Sequence, residues 1–216
     1  MNKINLELNV GTKWLLWLLV LATFTACSNK KKVEVKNNSG IVIESYFVEK
    51  KNPDNKIGEY KKFYDDGKIL EVANYADGRL NGKRTLYYAS GKIMQEENYT
   101  DNKFNGKFVA YNEDGSLQQE GEYKDNMMDG TWKNYYPSSK NVVKEEYTLK
   151  ENHVDGPYKE FLPNGNIYVS GNKKEIMENL DVFDGEVLVY DSAVNNKLVE
   201  KLFYENGKQI KKETIK

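Results

Sequence analysis

The chain holds one cysteine and one histidine in 216 residues. A lone cysteine cannot close an internal disulfide, so no disulfide framework holds this fold together. One histidine and no second thiol leave no ordinary zinc-ligand set. Serine-hydrolase chemistry of the usual kind would have to use His153, and no G-x-S-x-G motif is present. As a general base, His153 would need a nucleophile and an orienting carboxylate close by. It stands in the stretch ENHVDG and reads as an exposed turn residue. Acidic residues such as Asp66, Asp77 and Asp114 precede glycines, but no segment has the dense D-x-D-x-D-G pattern with a distal glutamate. Turn chemistry accounts for them, and calcium is not indicated. The residues therefore point to no catalytic group, no metal site and no cofactor.

Apolar side chains are also scarce, at 39% against 30% charged. A thick two-layer core would be hard to fill. Tyrosine is the exception, with 16 copies beside 8 Phe and 3 Trp. A thin sheet covered by tyrosine rings, with Lys and Glu stems lying alongside, suits this composition. Charge of one sign is missing too: the formal net charge is −1. Removing residues 1–26 takes away Lys3, Lys13 and Glu7 and leaves 30 basic and 32 acidic side chains. That balance gives no broad pull toward nucleic acid, and no nucleic-acid partner is expected.

What is present is a repeat. Gly58, Gly82, Gly106 and Gly130 open successive units 24 residues apart, and looser copies start at Gly156 and Gly185 after 26 and 29. A fixed period of this size implies units that pack on their neighbours. Each unit contains two short runs rich in aromatic and β-branched residues, the second alternating with period two, which reads as strand. Glycines every dozen residues exclude long helices. Dipeptides such as Asp66-Gly67, Asp77-Gly78, Asn81-Gly82, Asn105-Gly106, Asp129-Gly130 and Asn206-Gly207 suit type I′ hairpins, whose two central positions need positive φ. The expected fold is all-β: an elongated antiparallel β-meander of repeated hairpins, about a dozen strands and roughly 55 Å long. Ile41 to Phe47 reads as a capping strand, Lys50 to Lys56 as a connection, and Lys173 to Leu180 as the one stretch suited to a short helix.

The phrase G-x-aromatic-x-x-[YF]-Y-x-x-G-K-[IL], followed by E-x-x-Y-x-[DN]-G-x-x-[ND]-G, resembles the bacterial variant of the MORN repeat, of the antitoxin-like kind, over roughly residues 40 to 210. The central three units match best. The copy from Gly130 has Pro137 where a turn glycine is usual, and the last two copies carry insertions. The resemblance implies a β-meander that works by binding and has no catalytic machinery in the module.

Residues 1–26 read as a secretory signal: Lys3 and Lys13, then an apolar stretch from Trp14 to Ala22 that continues weakly to Ala26. A spanning helix usually needs about 20 apolar residues, so a signal core fits better. Phe24-Thr25-Ala26-Cys27 resembles a bacterial lipobox, with Phe24 where leucine is usual. The resemblance implies cleavage before Cys27 and lipidation of its thiol, hence a membrane-anchored lipoprotein of the bacterial cell envelope. An uncleaved anchor, or an ordinary secretory cut with Cys27 free, is the alternative. Two or three acyl chains, at about 0.8 kcal/mol per buried methylene, suffice for stable anchoring. The chain then divides into a signal at 1–26, a lipidated Cys27 with a flexible tether at 27–39, and a repeat sheet at 40–216.

The expected function is that of a lipid-anchored, non-catalytic scaffold with a protein partner. An antitoxin or immunity-like role, or a glycan-binding adhesin, is the alternative. Tyr64, Tyr88, Trp132 and Tyr136 are the candidates for the binding face, on the expectation that these large amphipathic rings are semi-exposed. Two tyrosine rows recur at a spacing of 24: Tyr75, Tyr99, Tyr123 and Tyr147, and Phe63, Tyr87, Tyr111 and Tyr135. The first expectation is that these rings pack cross-strand as core; the alternative is that one row is a solvent-facing stripe for a protein, peptide or glycan.

Overall fold

The computed structural model describes residues 29–137, 140–178, 180–192 and 196–215. The expected signal and Cys27 lie outside these residues. Nineteen strands form one sheet. They are β1 (Lys30–Lys36), β2 (Val42–Glu49), β3 (Asn52–Lys56), β4 (Gly58–Phe63), β5 (Ile69–Ala76), β6 (Arg79–Leu80), β7 (Gly82–Tyr87), β8 (Ile93–Thr100), β9 (Lys103–Phe104) and β10 (Gly106–Tyr111). Then come β11 (Leu117–Lys124), β12 (Met127–Tyr135), β13 (Val143–Lys150), β14 (His153–Phe161), β15 (Ile167–Met177), β16 (Leu180–Phe183), β17 (Gly185–Tyr190), β18 (Leu198–Glu205) and β19 (Lys208–Thr214). Every pairing is antiparallel, and each strand pairs with its near neighbours in sequence. The all-β meander read from the sequence is the fold.

Four pairs, β3/β4, β6/β7, β9/β10 and β16/β17, are halves of one interrupted strand lying against a single neighbour. Nineteen strands less four such interruptions give fifteen rungs among the described residues. The interruption is where half of the glycine dipeptides belong. Tyr75 pairs Leu80 but Glu71 pairs Leu86, so two extra residues are absorbed around Asn81 and Gly82, with Gly82 at φ +95°. Asn105-Gly106, Asp129-Gly130, Asp155-Gly156 and Asp184-Gly185 repeat this bulge. These are kinks inside a strand, and the expectation of type I′ turns there is corrected. Two kinds recur among the remaining turns. Gly67 donates to the Tyr64 carbonyl at 2.9 Å and only Gly67 has positive φ, a type I turn closed by a left-handed glycine. True type I′ turns, with both central residues at positive φ, stand at Asp77-Gly78, Asp101-Asn102, Asp125-Asn126, Glu151-Asn152 and Asn206-Gly207. Three of these five have asparagine where a glycine would announce the turn.

Three local expectations are corrected. Lys30–Lys36 is not a free tether: it is edge strand β1, in register with β2 (Val33 opposite Tyr46, Val35 opposite Glu44). Ladder pairing with β2 over its whole length holds it, so the sheet begins ahead of residue 40 and β2 is not the cap. Asn52–Lys56 is strand β3 and not a connection. Lys173 to Leu180 forms no helix; it completes β15 and turns into β16. Lys173 opposite Phe183 and Lys174 opposite Val182 continue the ladder, and that pairing overrides the local helical pattern.

Residues paired across a ladder share a face. One row runs Tyr60, Ala73, then Arg84, Glu97, then Phe108, Gly121, then Trp132, Tyr147, Tyr158 and Gly171. This core face holds most of the buried residues: Tyr60, Ala73, Phe108, Trp132, Leu149, Tyr158 and Val187. A single layer buries rings by setting a large residue on the first strand of a unit opposite a small one on the second. Tyr60 stands opposite Ala73, Phe108 opposite Gly121 and Tyr158 opposite Gly171; Trp132 lies over Gly121, and Val187 lies against Gly171. A Cβ on Gly121 would stand 2.2 Å from Trp132 Cδ2, so the indole rests directly on the backbone there. Phe108 and Tyr123 close over it at ring distances of 5.5 and 5.2 Å.

Candidate functional site

Trp132 is 0% exposed and sits at the centre of the cluster of Phe108, Ala110 and Leu149. It is core, and the expectation that it lines a binding face is corrected. Its Nε1 is buried without a hydrogen-bond partner among the described residues. The ring is kept there by its apolar area.

Tyr64, Tyr88 and Tyr136 occupy the turn corners. Each phenol donates to a backbone carbonyl of the next unit: Tyr64 to Tyr87 at 2.7 Å, Tyr88 to Tyr111 at 2.7 Å, Tyr136 to Phe161 at 2.6 Å. These rings clasp one repeat to the next. Their polar tips are committed to the fold and are not free for a partner. On the opposite edge asparagines do the same work. Asn102 accepts from the Leu80 amide at 2.7 Å and donates its own amide to the Leu80 carbonyl at 2.9 Å; Asn126 with Phe104 and Asn152 with Met128 repeat the clamp.

The second unit replaces the large–small pair of the core face by charge. Arg84 Nε donates to Glu71 at 2.7 Å and its Nη1 to Glu97 at 3.0 Å; Gln95 and Tyr99 also donate to Glu97, which is 2% exposed. Burial alone would lower the Arg84 pKa, but its bonds to Glu71 and Glu97 outweigh that and hold it above the ordinary arginine range. Every charge in the network has a partner, which is what makes a buried carboxylate tolerable.

The other face is different. Its central row runs Lys61, Val72, Thr85, Glu96, Val109, Glu120, Lys133, Glu146 and Lys159. Signs alternate along its second half, with Lys133 bridging Glu120 and Glu146 at 3.8 and 3.9 Å and Lys159 meeting Glu146 at 3.3 Å. Such half-exposed pairs are worth at most about 1 kcal/mol each. Two residues further along each first strand, on this same face, come Phe63, Tyr87, Tyr111, Tyr135, Phe161 and Tyr190. All six are half-buried, one per unit, and no second layer covers them among the described residues. Tyr135 donates to Glu120 at 2.7 Å; burial first, and that carboxylate second, push its phenol well above the usual range. Tyr190 Oη lies 3.4 Å from Ser170 Oγ.

The solvent-facing aromatic row is therefore the one five residues after each opening glycine, and the candidates chosen at six residues after it are clasps. The other ladder, Tyr75, Tyr99, Tyr123 and Tyr147, lies on the core face. Pairing in the folded sheet against the small residues Ala73 and Gly121 separates the rows, which period-two alternation by itself does not do. His153 is exposed at the start of β14, with Nδ1 2.9 Å from Glu175 Oε2.

Residues 56–77, 80–101 and 104–125 match the family model of the MORN repeat variant. The chain thus carries three consecutive repeats of that kind, in its best-matching central stretch. No curated protein matches the chain. Among solved structures it is similar to one described as the crystal structure of TarM, at 15% identity over 53% of this chain and 24% of that one, with a TM-score of 0.24. The chain spans about a quarter of that protein's length, and a likeness at this level carries no argument.

Proposed function

We propose that this protein is a lipid-anchored, non-catalytic scaffold of the bacterial envelope that holds a protein partner along the open face of its sheet. Repeats of the matched family mediate protein or membrane interaction. The observation that carries the reading is the row of half-exposed rings, Phe63, Tyr87, Tyr111, Tyr135, Phe161 and Tyr190, set at repeat intervals beside paired charges. Aromatic anchors in a polar, charge-paired surround are what a protein-binding surface needs: area from the rings, register from the charges. The lipobox-like Phe24 to Cys27 supports the anchor.

The test is capture from solubilised envelope, read by mass spectrometry, with the intact protein, a Tyr87→Ala/Tyr111→Ala form and a Cys27→Ser form. The expected result is a diacylated N-terminal Cys27 peptide, and a partner enriched by the intact protein and lost with the tyrosine pair. An unmodified Cys27, or equal capture by the Tyr87→Ala/Tyr111→Ala form, would overturn the anchor or the face respectively.

A further inference from the structure

Tyr64, Tyr88 and Tyr136 clasp their units, and the unit from Gly106 has no clasp of its own. Its corner residue is Asn112, 24 residues after Tyr88 and 24 before Tyr136. The backbone there is unchanged. Asn112 donates its amide to the Ser116 carbonyl at 2.8 Å and accepts from the Gly115 amide at 2.9 Å, as Tyr88 does with Lys92 and Gly91. The acceptor is in place as well: Tyr135 pairs Val143 just as Tyr111, which receives the Tyr88 phenol, pairs Leu117. Asn112 turns its side chain back into its own turn, donating to Ser116 Oγ at 3.0 Å and to the Leu117 carbonyl at 3.4 Å. Among the described residues no phenol reaches the Tyr135 carbonyl.

A second side chain shrinks in the same unit. Leu86, opposite Gln95, becomes Ala110, opposite Gln119. With both large side chains gone, a groove of about 510 Å³ lies open on the core face. Phe108, Ala110, Asn112, Gln119, Asn134 and Tyr135 contribute to its lining. Its size falls in the range of roughly 300–1,000 Å³ common for ligand pockets.

We propose that this groove takes a tyrosine side chain from another protein, whose phenol supplies the missing clasp and donates to the Tyr135 carbonyl. The chain provides the template three times over, with phenols 2.6–2.7 Å from the equivalent carbonyls. Phe108 and Ala110 offer the apolar floor a ring needs, and the Gln119 and Asn134 amides stand where peptide groups beside that ring would bond. A phenylalanine would fill the floor and leave the carbonyl unmet. The groove lies on the face opposite the row of Tyr87 and Tyr111, so it stands or falls independently of that surface.

The experiment titrates the full chain in detergent solution with N-acetyl-tyrosinamide, followed by saturation-transfer NMR. The expected result is saturable binding with a Kd on the order of 1 mM, and about fivefold weaker binding of N-acetyl-phenylalaninamide. Asn112→Tyr puts the clasp back within the chain. It should abolish binding and raise the thermal midpoint by about 2–4 °C. Ala110→Leu, which restores the side chain of the preceding unit, fills the floor instead and should also abolish binding. Absence of saturable binding, equal binding of the two probes, or binding unchanged by either filling substitution would each overturn the proposal.

Discussion

The phenol of Tyr88 reaches out of its own repeat and donates at 2.7 Å to the carbonyl of Tyr111, one unit on. Tyr64 and Tyr136 make the same bond to Tyr87 and Phe161. The clasp fixes the spacing of successive units at the turn edge, where ladder hydrogen bonds have run out. Tyr88→Phe keeps the ring and orphans the carbonyl, so it should cost about 1 kcal/mol. The three Tyr→Phe changes at 64, 88 and 136 are far enough apart to add. Urea denaturation of the triple form should show a loss of about 3 kcal/mol; a loss under about 1 kcal/mol would mean the clasps are incidental.

Gly121 is indispensable for a reason unrelated to its backbone freedom. An added methyl would meet the Trp132 ring at 2.2 to 2.7 Å. Gly121→Ala must displace the largest fully buried side chain, and should destabilise by about 3 kcal/mol or more. A thermal midpoint within a few degrees of the parent's would show that the indole can move aside.

Among the described residues Glu97 is the one buried carboxylate, with donors from Arg84, Gln95 and Tyr99. Glu97→Ala leaves Arg84 with Glu71 alone and the amide and phenol without their acceptor, at a cost of about 3–5 kcal/mol. Replacing Arg84 and Glu97 together by Phe and Gly restores the large–small pairing of the neighbouring unit. That double change should recover most of the loss in a denaturation series.

Glu151 sits at φ +52° in a type I′ turn, where its equivalents are Asp101 and Asp125. Glutamate gains nothing in this left-handed position, while asparagine tolerates it. Glu151→Asn should therefore raise stability by about 0.5–1 kcal/mol, a gain that hydrogen exchange would place in the β13–β14 hairpin.

Alkali should unfold this protein. Burial, reinforced by Glu97, raises the Tyr99 phenol to about 12, and burial likewise raises Tyr60, Tyr135 and Tyr158. A pKa raised by folding means that above about pH 10 the unfolded chain has released protons the folded chain still holds. Stability from these phenols is then complete below about pH 10 and falls as pH rises toward 12 and beyond. Phenolate absorbance should appear late and together with loss of the circular-dichroism strand signal. Phenolate formation near pH 10 with the sheet intact would contradict the burial.

Period, strand type and the all-β meander were legible in the chain, because a 24-residue repeat of alternating residues between glycine turns has few other ways to fold. The matched repeats at 56–77, 80–101 and 104–125 were legible for the same reason. Asn102, Asn126 and Asn152 hid three turns, since asparagine takes a positive φ without announcing it as glycine does. β1 hid because a lysine-rich edge strand is held to β2 by its backbone ladder, which composition does not announce.

The face that binds was beyond the sequence. Alternation with period two says that neighbours point oppositely, and it treats the two sides alike. Aromatic residues stand at both parities in the first strand of each unit, so composition cannot choose between Tyr87, which faces out, and Tyr88, which clasps. Tertiary pairing made the choice. It set Ala73 opposite Tyr60 and brought Gly121 beneath Trp132, and a ring lies flat only where the strand beside it offers little or no side chain in the way.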